Sequence, residues 1–339
     1  MISRFHQLGG YAVFALLATA APSPRPRTGP GSTQLVLATQ HNSPNELPLL
    51  KLPVQIGNVG TTTDVTFTDG YSDCIVSTGG YDPQTSPTAV DLKHNFTLQV
   101  AHTWHGKTYT DTVKVGALSI PSFPIGSIPA PTSFGTCGIA WDSPSANLSV
   151  TGQGPSYKSF VYAFKAAGAA AKALISISYN LNSQPMLSLG ASITAVASDH
   201  WVKVDTQAPG TWRVPGSVAG VNTKVIVTPG EAMIWATMDD ATKIINAIGL
   251  TPRLNNNKYV TSNFPCADVP DVNIVIGGLA INLTTDVLTY QKDDDGSCVL
   301  PIYGLPGYKE EPILGSTFLA SIKEVVFDFE QLALGIVPF

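Results

Sequence analysis

Two stretches of the chain echo one another. Val65-Thr66-Phe67-Thr68-Asp69-Gly70 and Val225-Ile226-Val227-Thr228-Pro229-Gly230 each run an apolar strand into a Thr-x-Gly turn, starting 160 residues apart (225 minus 65). A threonine hydroxyl does not titrate near neutral pH. Thr68 and Thr228 therefore offer hydrogen bonds but cannot share a proton as a carboxylate does. More reactive groups lie close by. Tyr71 and Glu231 each follow a turn glycine, and His102, Trp104 and His105 crowd together beyond an apolar strand. Trp104 is suited to stacking on a ring, and Tyr71, His102 or Glu231 to polarising a carbonyl or a phenol. Each also has a plainer role open to it, packing for Trp104 and solvation for Glu231. His102 and His105 stand three apart with no third ligand in evidence, so neither a metal nor another cofactor is expected.

The elements that must hold these residues are mostly strands. Leu49–Ile56, Asp64–Phe67, Asn95–Ala101, Lys107–Val115, Leu174–Tyr179, Val272–Ile276 and Val325–Phe329 carry alternating or β-branched apolar residues between turn residues. Gly277-Gly278 divides two apolar runs and predicts a hairpin turn. Two helices are expected: the Ala-rich Tyr157–Leu174, and Met238–Ile248, which has Asp at its start and Gly249 just past its end. The chain reads as all-β with occasional helices. Its 339 residues suggest two domains or one large β-rich unit.

Composition narrows the class. Charged residues make up 13%, against about 25% in typical soluble domains, so Ser, Thr, Asn and Gln supply most of the polarity. An apolar share of 44% is too high for a disordered chain. With a net charge of −5, nothing is basic enough to grip a nucleic-acid backbone. The N-terminus has a signal-peptide layout over residues 1–20: Arg4, an apolar run from Tyr11 to Thr19, then small residues at Ala18-Thr19-Ala20. Residues 21–46 read as a leader or linker. No run is long enough to anchor the protein in a bilayer, so a secreted or secretory-lumen protein is expected. Asn95, Asn147 and Asn282 open Asn-x-Ser/Thr sequons and are the expected glycan sites. The cysteines are Cys74, Cys137, Cys266 and Cys298. Four suit two disulfides in an exported chain, and spacing alone leaves three pairings open.

Several motifs, in order, resemble those of pepsin-like aspartic peptidases. Ile313-Leu314-Gly315-Ser316-Thr317-Phe318-Leu319, followed by Val326-Phe327-Asp328 and Gly335, resembles the family's closing segment. Tyr109–Gly116 resembles the strand after the flap in fungal members, and Asp239–Pro252 the helix after the second catalytic motif. Cys266 and Cys298 match the family's C-lobe disulfide. Phe134–Ile139 resembles the glycine-rich strand behind the first motif, where Cys137 would either bridge to Cys74 or remain, like it, a buried thiol. The resemblance runs from Leu47 to Phe339. It implies an all-β, bilobal fold with a central cleft, with lobes at 47–180 and 181–339.

The family's chemistry needs an Asp-Thr-Gly from each lobe, with two carboxylates sharing a proton over a water. Here the first motif reads Phe67-Thr68-Asp69-Gly70-Tyr71-Ser72-Asp73. Val204-Asp205-Thr206-Gln207 looks like a damaged second motif, but Trp201-Val202-Lys203-Val204 resembles the strand upstream of it. Counting back from the helix at Asp239 places the second motif at Thr228-Pro229-Gly230. The resemblance thus puts Thr68 and Thr228 at the two acid positions, with Tyr71 and Glu231 beside them on the cleft floor. Asp69 would point beneath that floor. By the same count Val100 replaces the flap tyrosine, and His102, Trp104 and His105 lie at the flap tip. Loss of both acids should abolish hydrolysis. The expected function is a cofactor-independent catalyst acting on an apolar small molecule in fungal secondary metabolism, such as a hetero-Diels–Alder pericyclase of tropolone-sesquiterpenoid pathways. Two alternatives stay open: a non-catalytic binding or inhibitor protein of pepsin fold, and an atypical aspartic endopeptidase.

Overall fold

The computed structural model describes residues 31–40, 47–57, 62–68, 72, 74–99, 103–130, 135–141, 159–208, 210–255 and 259–339. The chain enters through β1 (Thr33–Val36) and β2 (Ala38–Gln40). Both strands lie within the stretch read as leader or linker, residues 21–46. Leu37 is buried and its N–H bonds the Pro185 carbonyl at 2.8 Å, so the core claims this stretch. Seven strands follow: β3 (Leu49–Ile56), β4 (Thr62–Thr68), β5 (Cys74–Ser77), β6 (Val90–Gln99), β7 (Thr103–Val115), β8 (Leu118–Ile128) and β9 (Gly135–Gly138). With β2 they form an eight-stranded sheet ordered β2-β3-β4-β9-β5-β8-β7-β6. In β3 every second side chain (Leu50, Leu52, Val54, Ile56) is buried, the period of a half-buried strand.

Helix α1 runs Phe160–Ala166, well short of the predicted Tyr157–Leu174. Gly168, at φ 71, reverses the chain just after the cap residue Ala167, and Leu174 already opens a strand. Alanine content alone did not extend the helix, because tertiary pairing takes Leu174 into the sheet. The next strands are β10 (Leu174–Ser178), β11 (Met186–Leu189), β12 (Trp201–Lys203), β13 (Arg213–Val218), β14 (Lys224–Val227) and β15 (Ile234–Thr237). Helix α2 (Met238–Ala247) then starts on the Thr237 hydroxyl, which accepts from the Asp240 N–H at 3.0 Å. It stops at Gly249, φ 79.

The chain continues through β16 (Arg253–Asn255), β17 (Tyr259–Thr261), β18 (Asn263–Phe264), β19 (Asn273–Ile276) and β20 (Leu279–Asn282). The β19–β20 turn is the expected hairpin, with Gly277 and Gly278 both at positive φ (58 and 91), as a tight two-residue turn requires. The rest comprises α3 (Thr285–Leu288), β21 (Cys298–Val299), β22 (Ile302–Leu305), β23 (Ile313–Leu314), α4 (Ser316–Leu319), β24 (Glu324–Asp328) and β25 (Ala333–Val337).

A nine-stranded sheet, β16-β17-β22-β15-β23-β14-β13-β19-β20, builds the second lobe, and β18 pairs with β21 in a small ribbon. A six-stranded sheet, β1-β11-β10-β24-β25-β12, joins segments from both ends of the chain. The lobe boundary predicted at 180/181 therefore falls inside a shared sheet, between β10 and β11.

Candidate functional site: two equivalent turns

The strand echo seen in the sequence is a repeat of topology. In the first lobe β3 lies antiparallel to β4, β4 runs parallel to β9, β9 is antiparallel to β5, and β5 runs parallel to β8. In the second lobe β13, β14, β23, β15 and β22 repeat the same order with the same directions. Registers agree residue by residue. Phe67 pairs with Cys137 and Cys74 opposes Cys137, while Val227 pairs with Leu314 and Ile234 opposes Leu314. Thr68 and Thr228 each follow by one residue and so hold equivalent places. The Thr68 carbonyl accepts from the Ile139 N–H at 2.8 Å, and the Thr228 N–H donates to the Leu314 carbonyl at 3.1 Å.

The two turns meet. A Cβ placed on Gly230 would fall on the Phe67 carbonyl oxygen, so only glycine allows this approach. Thr228 is fully buried and its Oγ1 accepts from the Gly230 N–H at 3.3 Å. Thr68 is half-buried. Neither hydroxyl titrates, so proton transfer at these two places would need another group. Glu231 is the nearest described carboxylate in sequence. Its Oε2 accepts from the Trp235 indole N–H at 2.9 Å, and its carbonyl from the Ser316 N–H at 2.7 Å. Tyr71, Asp69, Val100 and His102 lie outside the described residues, as does the side chain of Trp104. β6 and β7 pair as far as Gln99 with Thr103. His105 is exposed on β7, its Nδ1 3.2 Å from Thr97 Oγ1.

Sequence reading missed an aromatic wall beside the second turn. Trp235 on β15 pairs directly with Tyr303 on β22, ring centroids 5.4 Å apart, and Tyr259 meets Tyr303 at 5.0 Å. These rings pack with Leu49 of the first lobe and with Ala232 and Met233, which follow Glu231. The signal was the alternation Met233-Ile234-Trp235-Ala236, which turns Ile234 to the main core and Met233 and Trp235 to the other face. A second missed feature ties the lobes. Trp212 donates its indole N–H to the Ile139 carbonyl, and Trp141 donates to the Thr211 carbonyl, both at 2.7 Å. Trp212 is fully buried against Phe327 and Phe329.

The expected Cys266–Cys298 disulfide is formed, and of the two alternatives left open for Cys74 and Cys137 the structure shows the bridge. This bridge joins directly opposed residues of β5 and β9, next to the Thr68 strand. Asn95 and Asn282 are exposed, whereas Asn147 lies outside the described residues.

Carboxylates elsewhere serve structure. Asp205 belongs to no cleft motif: Lys224 Nζ at 2.6 Å and Arg213 at 3.0 Å hold it, and Arg213 also reaches Glu311 at 2.9 Å. Hydrogen bonds from Lys224 and the Gln207 N–H hold its carboxyl below the ordinary range. Asp111 on β7 is buried. Its oxygens accept from Tyr81 at 2.7 Å, Thr88 at 2.5 Å and the Thr112 N–H at 2.7 Å. Burial pushes this carboxyl up, but those donors together with Ser86 outweigh it and set it below the usual value. Among the described residues, no group of three or more His, Cys, Asp or Glu is placed to hold a metal ion.

A five-strand pattern duplicated in two lobes, with Gly230 of the second set against the end of β4 in the first, defines a class: two-lobed β proteins. A family model for eukaryotic aspartyl protease matches residues 59–339, and the chain belongs to that family. Its fold is similar to the crystal structure of the aspartic proteinase from Irpex lacteus, with a TM-score of 0.70 at 20% identity, covering 91% of this chain and 97% of that one. No curated protein matches the sequence. The two disulfides suit an oxidising, secretory compartment. No described helix is long and apolar enough to cross a membrane.

Proposed function

We propose that this chain is a secretory glycoprotein of the aspartyl protease family that does not hydrolyse peptides. In this reading Thr68 and Thr228 occupy the places of the family's two catalytic carboxylates. One observation carries it: equivalent positions of the two repeats both hold threonine. Peptide hydrolysis by this route needs one charged and one neutral acid in contact, and two hydroxyls supply neither. Full burial of Thr228 and the bond from Trp235 to Glu231 support the same view, since the hydroxyl is sealed off and the neighbouring carboxylate is held by an indole.

The cleft then serves an apolar small molecule. Trp235, Tyr303 and Tyr259 cluster beside the second turn, their polar atoms bonded to Glu231, Gln291 and Asn255, and aromatic rings with a few placed polar groups are the usual character of a small-molecule site. Trp104, His102 and Tyr71 would complete it from the flap and the first turn. The finest form of the proposal is a cofactor-independent cycloaddition, such as hetero-Diels–Alder coupling in fungal secondary metabolism. There, holding two partners in register supplies most of the rate, and no acid dyad is needed.

The test is to delete the gene in its host and compare metabolite extracts, while titrating candidate intermediates into the purified protein by native mass spectrometry. Loss of one coupled product, together with binding of its precursors, is expected. An unchanged profile with no bound precursor would overturn the small-molecule reading.

A further inference from the structure

Both described sequons fall on outermost strands. β6 closes one end of the eight-stranded sheet, and β20 closes one end of the nine-stranded sheet. An outermost strand presents unpaired N–H and C=O groups on which a second chain can add, and folded proteins guard such edges with charges, bulges, proline or a cover. The first half of β6 guards itself. Its register slips between Asp91 and His94, Lys93 takes a φ of 62, and the Lys93 ammonium lies 3.0 Å from Asp91. The second half, Asn95 to Gln99, pairs without a break and carries no charge or proline. β20 (Leu-Ala-Ile-Asn) likewise lacks bulge, charge and proline. Of the other outermost strands in the three large sheets, β12 and β16 carry Lys203 and Arg253, while β1 and β2 carry no charge but are only four and three residues long. The two sequons therefore stand where β6 and β20 have no guard of their own.

The Asn282 side chain is set for modification. Asn273 on β19 donates from Nδ2 to Asn282 Oδ1 at 2.7 Å, which leaves the Asn282 nitrogen, the atom that carries a glycan, out of that bond. Asn95 and Asn282 are both exposed. We propose that N-linked glycans on Asn95 and Asn282 shield the two open sheet edges and keep the protein from associating edge to edge. This rests on the secretory reading above. In the export pathway the asparagine Nδ2 attacks C1 of an oligosaccharide carried on a lipid diphosphate. The N–C1 bond forms, the C1–O bond to the diphosphate breaks, Nδ2 gives up a proton, and the lipid diphosphate leaves.

The test uses the full chain exported from a eukaryotic host, with peptide mass mapping for occupancy and size-exclusion light scattering for association. Both sequons should be occupied and the glycoprotein monomeric. The double variant Asn95→Gln/Asn282→Gln should show about tenfold more associated species at equal concentration. Adding Ala280→Lys, at an exposed position of β20, should reverse part of that association by charging that edge. Where the double variant fails to fold, trimming the folded glycoprotein to single sugars with an endoglycosidase gives the same comparison. Occupied sequons whose removal leaves a monomer would overturn edge shielding alone. An exported, disulfide-bonded chain without sugars would overturn edge shielding and the glycoprotein reading together. A chain that is never exported would overturn the secretory reading on which both rest.

Discussion

The two lobes build one strand pattern and fasten it differently. Where the first lobe crosses its motif strands with Cys74–Cys137, the second places Ile234 against Leu314 in the same register. The first lobe also stakes a buried carboxylate, Asp111, among hydroxyl donors, while the second links Asp205, Lys224, Arg213 and Glu311 in a partly buried ion network. The turns differ too: Thr68 is half-buried and Thr228 is sealed. The repeat fixes backbone paths and leaves each lobe to find its own staple, so equivalent positions need not share a chemistry.

The largest break in that comparison should come from the disulfide. Cys74→Ala/Cys137→Ala frees a bridge that spans 63 residues, and chain entropy puts its loss near about 4 kcal/mol. Chemical denaturation should then show the first lobe unfolding ahead of the second. Leu314→Ala, the second lobe's counterpart, should cost about 2–5 kcal/mol through lost packing and a cavity. It should reverse the order of unfolding.

Asp111→Asn comes next, at about 2–3 kcal/mol near neutral pH for lost hydrogen bonds to a charged group. The folded carboxyl titrates below its unfolded value. Its contribution is therefore complete above the unfolded value of about 4 and is lost as pH falls through the folded one. Urea melts at descending pH should show the variant and the native protein converging on the acid side. Asp205→Asn, in the more open ion network, should cost less and should weaken further with added salt.

Trp212→Phe should follow, at about 1–3 kcal/mol, because it leaves the buried Ile139 carbonyl without its donor across the lobe junction. The smallest effects belong to the turns. Thr228→Ala should cost about 1 kcal/mol, the worth of one buried hydrogen bond. Thr68→Ala should cost less, and thermal melts of the two variants side by side would show that asymmetry.

Much of this was legible in the chain. The Thr-x-Gly echo marked both turns, β3 ran from Leu49 to Ile56 as its alternation implied, and Gly249 stopped α2 as expected. Local signals failed where distant partners decide. Thr33–Gln40 looked like leader because its two strands are short, and only pairing with β11 and β3 makes them strands. The helix after Tyr157 was overextended because alanine propensity carries no record of Leu174's place in the sheet. Trp235 was passed over because its value lies in Tyr303, 68 residues on (303 minus 235), which only parallel pairing brings beside it. Asp205 drew attention because Asp-Thr is a family word, but its neighbours Lys224 and Arg213 hold it in an ion network.

The most direct measurement is digestion of denatured haemoglobin or casein by the purified protein from about pH 2 to 6, the range in which a carboxylate dyad is half-protonated, with and without pepstatin. With threonine at both equivalent turns, no cleavage should appear above a buffer control, and pepstatin should change nothing. Pepstatin-sensitive cleavage at acid pH would contradict the claim that Thr68 and Thr228 have taken the place of the acids.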